Sequence, residues 1–149
     1  EKKDGQEQLK IQVFHSIDHP IYVSAQDRSI YQVILNLLAN AINYAGTGAE
    51  VTIKIAASSK KIIFELADNG IGIPEKDLSR IFERFYRIDK SRSSETGGSG
   101  LGLSIVKHII ESHQSKGHVE SSSKNGTKFW FILKASSPPK SETKTAIST

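Results

Sequence analysis

The chain lacks cysteine and methionine, and no apolar run in its 149 residues approaches the roughly 20 needed to cross a bilayer. The absence of cysteine excludes a disulfide scaffold, thiolate catalysis and thiolate-ligated zinc or iron–sulfur sites. The opening EKKDGQEQLK has neither the apolar core nor the cleavage site of a signal peptide. We therefore expect a globular piece of a longer protein that works in the cytoplasm, where the parent can still be membrane-anchored.

A concentration of one charge sign is also absent. The 20 Lys and Arg residues exceed the 16 Asp and Glu residues by a net +4, but the two signs are interspersed along the chain. No basic stripe is present that could neutralise several nucleic-acid phosphates at once, so we do not expect nucleic acid as a partner. The 37% hydrophobic content is typical of one soluble globular domain of this length.

Composition divides the chain into three parts. Residues 1–8 are polar and are interpreted as the stub of a linker, and residues 135–149 have the composition of a disordered tail. The folded domain is expected to occupy residues 9–134 between them.

Hydrophobic periodicity predicts the elements of this domain. In chain order they are strands at 9–13 and 21–23, a helix at 29–44 capped by Asp27, a hairpin of strands 51–56 and 62–67, a short helix at 75–85, a long helix at 103–113, and strands at 118–121 and 127–133. This order predicts the α+β class, as a two-layer α/β sandwich with a mixed sheet of about five strands and about three helices on one face.

Three asparagines form a stripe on the first long helix. Asn36, Asn40 and Asn43 follow i, i+4, i+7 spacing, and large apolar residues cover another flank, so we expect little of this helix to face bulk water. These apolar residues are Tyr31, Leu35 and Ile42. A buried amide without a partner costs about 1–3 kcal/mol, so the stripe needs bonding partners or a wet cavity. One interpretation is solvent exposure or loop capping, and the other is a site where amide oxygens bind Mg²⁺.

Asp68 ends a predicted strand and is followed by NGIGIP, in which Gly70 and Gly72 permit conformations closed to other residues. A carboxylate only accepts hydrogen bonds, so beside an apolar pocket it matches the exocyclic amine of adenine. Guanine presents a carbonyl there, which would leave a desolvated charge unpaired at a cost on the order of 3 kcal/mol. An ordinary turn is the alternative, because DNG is common turn chemistry.

The segment GGSGLGL at 97–103 runs directly into the second long helix. Free N–H groups and the positive end of the helix dipole make such a start an anion site, with phosphate as the natural ligand. The spacing is neither a Walker A motif nor a Rossmann fingerprint. Basic residues upstream either add cationic contacts or form a solvated face. They are Arg84, Arg87, Lys90 and Arg92.

Five motifs, NLLANAINY, DNGIGIP, IFERFYR, GGSGLGL and NGTKF, resemble in order and spacing the N, G1, F, G2 and G3 boxes of sensor histidine kinases. The likeness spans residues 9–134 and is to the GHKL ATPase superfamily. Within it, the sequence is most similar to the catalytic ATP-binding domains of bacterial phosphate-sensing and cell-wall-sensing kinases. The resemblance implies the Bergerat fold, an α/β sandwich, with ATP and Mg²⁺ as ligands.

The resemblance assigns roles at the base and the metal. It implies that Asn40 is the Mg²⁺ ligand, that Asn36 lines the same helix face, and that Tyr44 lies near the nucleotide. It further implies that Asp68 reads adenine and that Thr127 supports it through water. The loop beside Asp68 is shaped by Gly70 and Gly72.

The resemblance also implies which residues contact the phosphates of the nucleotide. A segment of the lid would cradle the phosphates through Ser99, Gly100, Leu101, Gly102 and Leu103. The F-box positions that approach the phosphates are Tyr86 and Arg87, and residues 86–100 would form a mobile lid that closes on ATP. Asn36 and Arg87 are the candidate catalytic residues.

The sequence departs from the family pattern at informative positions. Asn43 stands where many relatives carry a phosphate-contacting lysine, so Arg87, Lys90 or the metal would supply that charge. Gln114 and Lys124 each replace a usual glycine. Asn36 occupies the place where gyrase and the Hsp90 chaperones carry a catalytic glutamate, and without that base water is poorly activated, which favours a kinase over a hydrolase.

None of the five histidines lies in a phosphoacceptor motif, and all are interpreted as structural or surface residues. The resemblance implies that the acceptor histidine is on a preceding helical dimerisation domain of the same parent, from which a response regulator receiver domain would take the phosphoryl group. We expect the isolated domain to be a monomer. The implied activity is that of a protein-histidine kinase catalytic domain; a nucleotide-binding pseudokinase module and a GHKL-type ATP hydrolase are the alternatives.

Overall fold

The computed structural model describes residues 10–45, 48–86, 102–122 and 124–138. These contain five strands and three helices, which we number in chain order: β1 Lys10–His15, α1 Asp27–Ala45, β2 Glu50–Ala57, β3 Lys61–Asp68, α2 Glu75–Leu78, α3 Gly102–Ser112, β4 His118–Ser122 and β5 Gly126–Lys134. No helix in the described ranges is long and apolar enough to span a membrane.

The strands form one sheet in the order β1-β2-β3-β5-β4. β1 runs parallel to β2, and the other neighbours are antiparallel. A parallel pair needs a crossover connection, which α1 supplies, whereas β2–β3 and β4–β5 are joined by tight turns. The mixed five-stranded sheet predicted from the sequence is confirmed.

One face of this sheet carries the helices. Strand register aligns alternate apolar residues across β2, β3 and β5 on that face, where they pack against α1 and α3 in a single core. The core includes Val51, Ile53, Phe64, Leu66, Phe129 and Phe131 from the sheet, Val33, Leu37 and Ala41 from α1, and Val106, Ile109 and Ile110 from α3. The two-layer α+β architecture is therefore confirmed.

The predicted strand at 21–23 is wrong, because that segment makes only an isolated bridge between Val23 and Ala135. Pro20 lacks the N–H group that a longer ladder would use. Ala135, the partner in this bridge, lies just beyond the predicted domain end at 134. The N–H of Ser136 donates to the carbonyl of Tyr22 at 2.7 Å. Ala135 and Ser136, the first two residues of the expected tail, therefore contact the domain.

The helix predicted at 75–85 is a single turn, α2, followed by successive turns. Three i→i+3 hydrogen bonds connect these turns, from the N–H groups of Arg80, Glu83 and Tyr86.

The apolar flank of α1 is exposed, contrary to the expectation that it would be covered. Tyr31, Leu35 and Ile42 expose 65%, 45% and 40% of their surface. These residues flank the buried face of the helix on one side, and the asparagine stripe flanks it on the other. The amphipathic pattern therefore predicted which face of α1 packs on the core, but it did not predict that the Tyr31, Leu35 and Ile42 flank is exposed.

The two family glycine positions behave differently. Gln114 adopts the left-handed conformation, with φ 57°, just after α3. The N–H groups of Gln114 and Ser115 donate to the carbonyls of Glu111 and Ile110, the pattern of a Schellman cap. Lys124 is not among the described non-glycine residues with positive φ, so its turn needs no glycine there.

Candidate functional site

A cleft opens between α1, the start of α3 and the ends of β3, β4 and β5. Its walls are mostly apolar and are formed by Leu37, Ala41, Leu66, Ile73, Ile81, Leu103, Val119 and Phe129. Its polar lining residues are Asn40, Asp68 and Thr127. An apolar cleft with a few converging polar groups is the usual form of a small-molecule site. Four residues singled out from the sequence therefore lie together around the cleft: Asn40, Asp68, Leu103 and Thr127.

Asp68 is half-buried at the end of β3, where its two carboxylate oxygens have different surroundings. The Oδ1 atom accepts hydrogen bonds from the N–H of Gly70 at 2.9 Å and from the N–H of Thr127 at 3.3 Å. The Oδ2 atom has no bonding partner among the described residues, and it is not a buried atom left unsatisfied, so it keeps solvent-accessible surface on a residue that lines the cleft. Burial raises the pKa of the Asp68 carboxyl above its ordinary value, and the two N–H donors partly offset this.

Two glycines let backbone segments meet beside Asp68. Gly72 has φ +76°, and a Cβ there would lie 2.4 Å from the carbonyl oxygen of Ser122. Gly126 has φ +74°, and a Cβ there would lie 2.0 Å from the carbonyl oxygen of Asp68. The end of β3, the loop after it and the start of β5 are therefore in backbone-to-backbone contact that excludes any side chain.

A hydroxyl pair behind Asp68 was missed by the sequence analysis. Ser121 on β4 lies opposite Thr127 on β5, and their hydroxyl oxygens are 2.8 Å apart. The N–H of Ile73, in the glycine loop, donates to Ser121 Oγ at 2.6 Å. The signal was the register of the β4–β5 hairpin, which pairs Ser121 with the Thr127 that the motif had already indicated.

The asparagine stripe faces the cleft and the start of α3. The amide of Asn36 donates to the carbonyl of Gly102 at 3.5 Å. Asn40 is half-buried and lines the cleft, and its amide forms no hydrogen bond with any described residue. Asn43 is exposed. The stripe thus passes from a protein contact at Asn36, through an open amide at Asn40, to solvent at Asn43.

Tyr86 is not among the residues that line the cleft. Its hydroxyl donates to Asp77, which is 5% exposed and is the one buried charged residue in the described part of the chain. This hydrogen bond to a carboxylate raises the pKa of Tyr86. The guanidinium of Arg80 lies 4.4 Å from the centre of the Tyr86 ring and pairs with Glu83 at 3.1 Å. Asp77 was not singled out from the sequence.

Several predicted phosphate-end residues lie outside the described residues. They are Arg87, Ser99, Gly100 and Leu101, together with the rest of the expected lid at 87–100 and the side chain of Tyr44. Gly102 is described and begins α3. Within the described ranges no group of three or more His, Cys, Asp or Glu side chains is placed to hold a metal ion.

Comparisons with known proteins identify the family of this chain. Residues 25–137 match the family described as histidine kinase-, DNA gyrase B-, and HSP90-like ATPase. The sensor histidine kinase WalK of Bacillus subtilis is 37% identical over 118 residues, which cover 78% of this chain and 19% of WalK. The phosphate regulon sensor protein PhoR of Haemophilus influenzae is 38% identical over 113 residues, which cover 76% of this chain and 27% of PhoR. The chain therefore spans about a fifth to a quarter of these relatives' lengths.

The fold matches as well. The solved catalytic domain of histidine kinase ThkA superposes with a TM-score of 0.72 at 29% identity, covering 85% of this chain and 78% of that one. The resemblance inferred from the five motifs is confirmed by these matches, which include a phosphate regulon sensor.

Proposed function

Because this chain belongs to the histidine kinase-, DNA gyrase B-, and HSP90-like ATPase family, we propose that it binds Mg²⁺-ATP in the cleft beside α1 and donates the γ-phosphoryl group to a histidine on another domain. The observation that carries the proposal is the half-buried Asp68. One of its oxygens is held by two N–H donors, and the other has no partner among the described residues, on a side chain that lines the apolar cleft.

The open Asp68 oxygen supports a choice of base. Because Gly70 and Thr127 already donate to Oδ1, Oδ2 is the acceptor left for a ligand. The exocyclic amine of adenine would donate to it, whereas the guanine carbonyl would face it as a second acceptor. An unpaired acceptor in a desolvated site costs about 1–3 kcal/mol or more, so this contact disfavours GTP.

The donor set at α1 fits Mg²⁺. The open amide of Asn40 can supply a neutral oxygen ligand of the hard kind that Mg²⁺ prefers, and nucleotide phosphates and waters would complete the shell. When bound, the ion would neutralise phosphate charge and orient the γ-phosphoryl group. Asn36 would hold the start of α3 through the Gly102 carbonyl, so that the N–H groups there stay aimed at the phosphates.

Phosphoryl transfer is favoured over hydrolysis by the same helix. An amide such as Asn36 cannot take a proton from water as a carboxylate base does, so water would be activated poorly. Positioning and charge stabilisation supply most of the rate in phosphoryl transfer, and no covalent protein intermediate is needed. Arg87 is proposed to add positive charge near the phosphates, in place of the lysine that Asn43 replaces.

The acceptor histidine is proposed to lie on a helical dimerisation domain of the parent, and a response regulator receiver domain would take the phosphoryl group from it. The length of the relatives supports a parent with further domains. Two of the described histidines make contacts within the domain itself. His113 bonds to the Ile109 carbonyl, and His118 stacks on Trp130 at 5.1 Å.

Calorimetric titration of the domain with ATP and with GTP, each with and without Mg²⁺, tests the binding proposal. We expect ATP to bind, Mg²⁺ to strengthen binding, and GTP to bind about 10- to 100-fold more weakly. If saturating Mg²⁺-ATP gives no heat and no change in the melting temperature, the proposal is wrong.

Mixing the domain with the parent's helical domain and γ-labelled ATP tests transfer. Label on the acceptor histidine is the expected result. ATP binding without label would instead identify a pseudokinase module, and steady turnover above roughly 1 per second would identify a hydrolase.

A further inference from the structure

Part of the helix-side face of the sheet is left uncovered at β1. All six residues of β1 are exposed, and none of them belongs to the core or packs against it. Ile11 nevertheless pairs with Val51, and Val13 pairs with Ile53, and both partners are core residues on the face that carries the helices. Because directly paired residues point to the same face, Ile11 and Val13 project on the helix side, where they are 46% and 56% exposed.

The exposed flank of α1 borders this uncovered strand. The helix packs on β2 and β3 and against α3, and its Asn36 amide bonds to Gly102 at the start of α3. The stripe side of α1 therefore faces α3, and the flank that carries Tyr31 faces the β1 edge of the sheet. We name the surface between them the β1–α1 groove. Its apolar residues are Ile11, Val13, Tyr31, Leu35 and Ile42.

The dimensions of the two layers explain why the groove is open. Strands lie about 4.8 Å apart and a helix with its side chains is about 10 Å wide, so one helix covers roughly two strands. The two long helices, α1 and α3, therefore cover about four of the five strands, and β1 at the edge is the strand left over. A space one helix wide remains over β1 beside α1.

The β1–α1 groove concentrates exposed apolar surface. Five of the nine exposed large hydrophobic residues in the described ranges lie in it. From Ser29 to Ala45, α1 carries no charged residue. Single apolar residues are ordinary on a protein surface, but a contiguous uncharged patch marks an interaction site, and proteins commonly cover an apolar edge strand with a helix.

We propose that the β1–α1 groove binds an amphipathic helix of the parent protein that precedes β1 in the chain. This inference rests on the proposed function in one respect, because it takes the parent to have a helical domain ahead of this one. The helix would lie over β1 and pack on the flank of α1. Its apolar residues would recur at i, i+4 and i+7 and contact the groove.

The path of the chain favours a helix of the same parent. The match covers only 19% of WalK and 27% of PhoR, so such parents have much further chain. β1 forms one wall of the groove, and the nine residues before Lys10 can span up to about 30 Å, so a helix ahead of them can reach the whole groove. A tether of this length raises the effective concentration of the helix to about the millimolar range.

A second copy of this chain fits the groove less well. If two β1 strands paired edge to edge, the two α1 helices would be about 19 Å apart, since each lies over β2 and β3. Packed helices are about 8–10 Å apart, so the apolar residues over the two β1 strands would stay uncovered.

Hydroxyl-radical footprinting of the isolated domain and of the purified parent protein tests whether the groove is covered. The method reports the exposure of single side chains and needs no nucleotide. We expect the reactivity of Tyr31 and Leu35 to fall at least about 3-fold in the parent, as these exposed side chains become buried. Phe14, next to Val13 but on the opposite face of β1, is the matched control and should keep its reactivity.

A photo-crosslinker identifies the occupant. With benzoylphenylalanine in place of Tyr31, irradiation of the purified parent should join position 31 to the helical segment that precedes β1, as read by mass spectrometry of the digest. A crosslink only to a second copy of the domain, or only to another part of the parent, would overturn the proposal.

Leu35→Glu tests the contact itself. A charge in the groove opposes burial, so Tyr31 of this variant should have the same reactivity in the parent as in the isolated domain. Ile63→Glu makes a similar change at a residue of similar exposure on the outer face of the sheet, and it should leave Tyr31 protected. Melting curves of the isolated variants confirm that each is folded.

Unchanged reactivity of Tyr31 in the wild-type parent would overturn the proposal, and so would equal protection of Tyr31 and Phe14, because the groove would then not be the surface that is covered. Protection of Tyr31 that persists in Leu35→Glu would overturn it as well. Failure of the domain to bind ATP would instead refute the proposed function, which calorimetry decides independently of the footprint.

Discussion

The two ends of the cleft are built differently. At the base end, Asp68, Ser121 and Thr127 are joined by hydrogen bonds to one another or to the adjacent backbone, and glycine-mediated contacts bring three segments together. At the asparagine end, Asn36 makes one bond of 3.5 Å, and the Asn40 amide makes none within the described ranges.

This difference indicates where the chain itself fixes recognition. A base end held by protein contacts is ordered before a ligand arrives, so little conformational entropy is lost on binding. An open amide at Asn40 leaves its hydrogen-bonding capacity for groups that the ligand supplies. Substitutions at the base end should therefore affect both folding and affinity, and substitutions at the asparagine end should affect affinity alone.

The largest expected effect is on stability at the base end. Gly126→Ala would place a Cβ 2.0 Å from the Asp68 carbonyl oxygen at a φ of +74°, so the free energy of unfolding should fall by at least about 3 kcal/mol. Gly102→Ala is the matched control, since a Cβ there meets nothing within 4 Å at the start of α3. Urea unfolding of both variants measures the difference. Equal stability of the two would refute the contrast.

The next largest effect is expected for Asp68→Asn, which should weaken ATP binding. The side-chain oxygen of asparagine would have to face the N–H groups of Gly70 and Thr127, which turns the new NH₂ group toward the adenine amine. With donor facing donor, ATP affinity should fall at least about 100-fold.

Glu65→Gln, the same charge change on the same strand, serves as the control for Asp68→Asn. Glu65 pairs with Lys54 and Trp130 across the face of the sheet away from the helices. Calorimetry should give this variant the wild-type ATP affinity, and ATP binding by Asp68→Asn at full strength would refute the assigned base contact.

Asn40→Ala should have a smaller effect at the other end of the cleft. We expect affinity for Mg²⁺-ATP to fall about 10-fold, affinity for ATP without Mg²⁺ to change less, and the melting temperature without ligand to change by under about 2 °C. Asn43→Ala, at the exposed end of the same stripe, is the control and should leave all three quantities unchanged. A large loss of melting temperature in Asn40→Ala would show that Asn40 is structural.

The smallest effect is that of pH, through the raised pKa of Asp68. In the folded domain the carboxyl holds its proton more tightly than in the unfolded chain, so its contribution to stability is present below the unfolded pKa and is lost as pH rises through the folded pKa. ATP affinity should change in the opposite direction and increase as pH rises through the raised pKa of Asp68, because an amine donor favours the ionised carboxylate. Asp68→Asn should remove both trends in paired denaturation and binding measurements.

The fold was largely predictable because its signals are local. Leu37 and Ala41 lie on one helical face, and alternation marks Val51 and Ile53 as a half-buried strand. The core face of α1 followed from periodicity, but the exposure of Tyr31 did not, since periodicity does not reveal how far the sheet extends under a helix.

The site was predictable only where a motif marked it. Asn40, Asp68 and Thr127 belong to motifs and meet in the cleft. Ser121 and the Asp77–Tyr86 contact depend on which strands pair and on how the turns after α2 pack, neither of which a local pattern specifies.

The backbone contacts at Gly72 and Gly126 also limit how the protein can be redesigned. An engineer who wished to enlarge or reshape the base end would find these two positions closed to every side chain, since neighbouring main-chain oxygens lie where a Cβ would go. Altered base preference would have to begin in the apolar lining, at residues such as Leu37 or Ile73, where side-chain volume can be exchanged without moving the main chain.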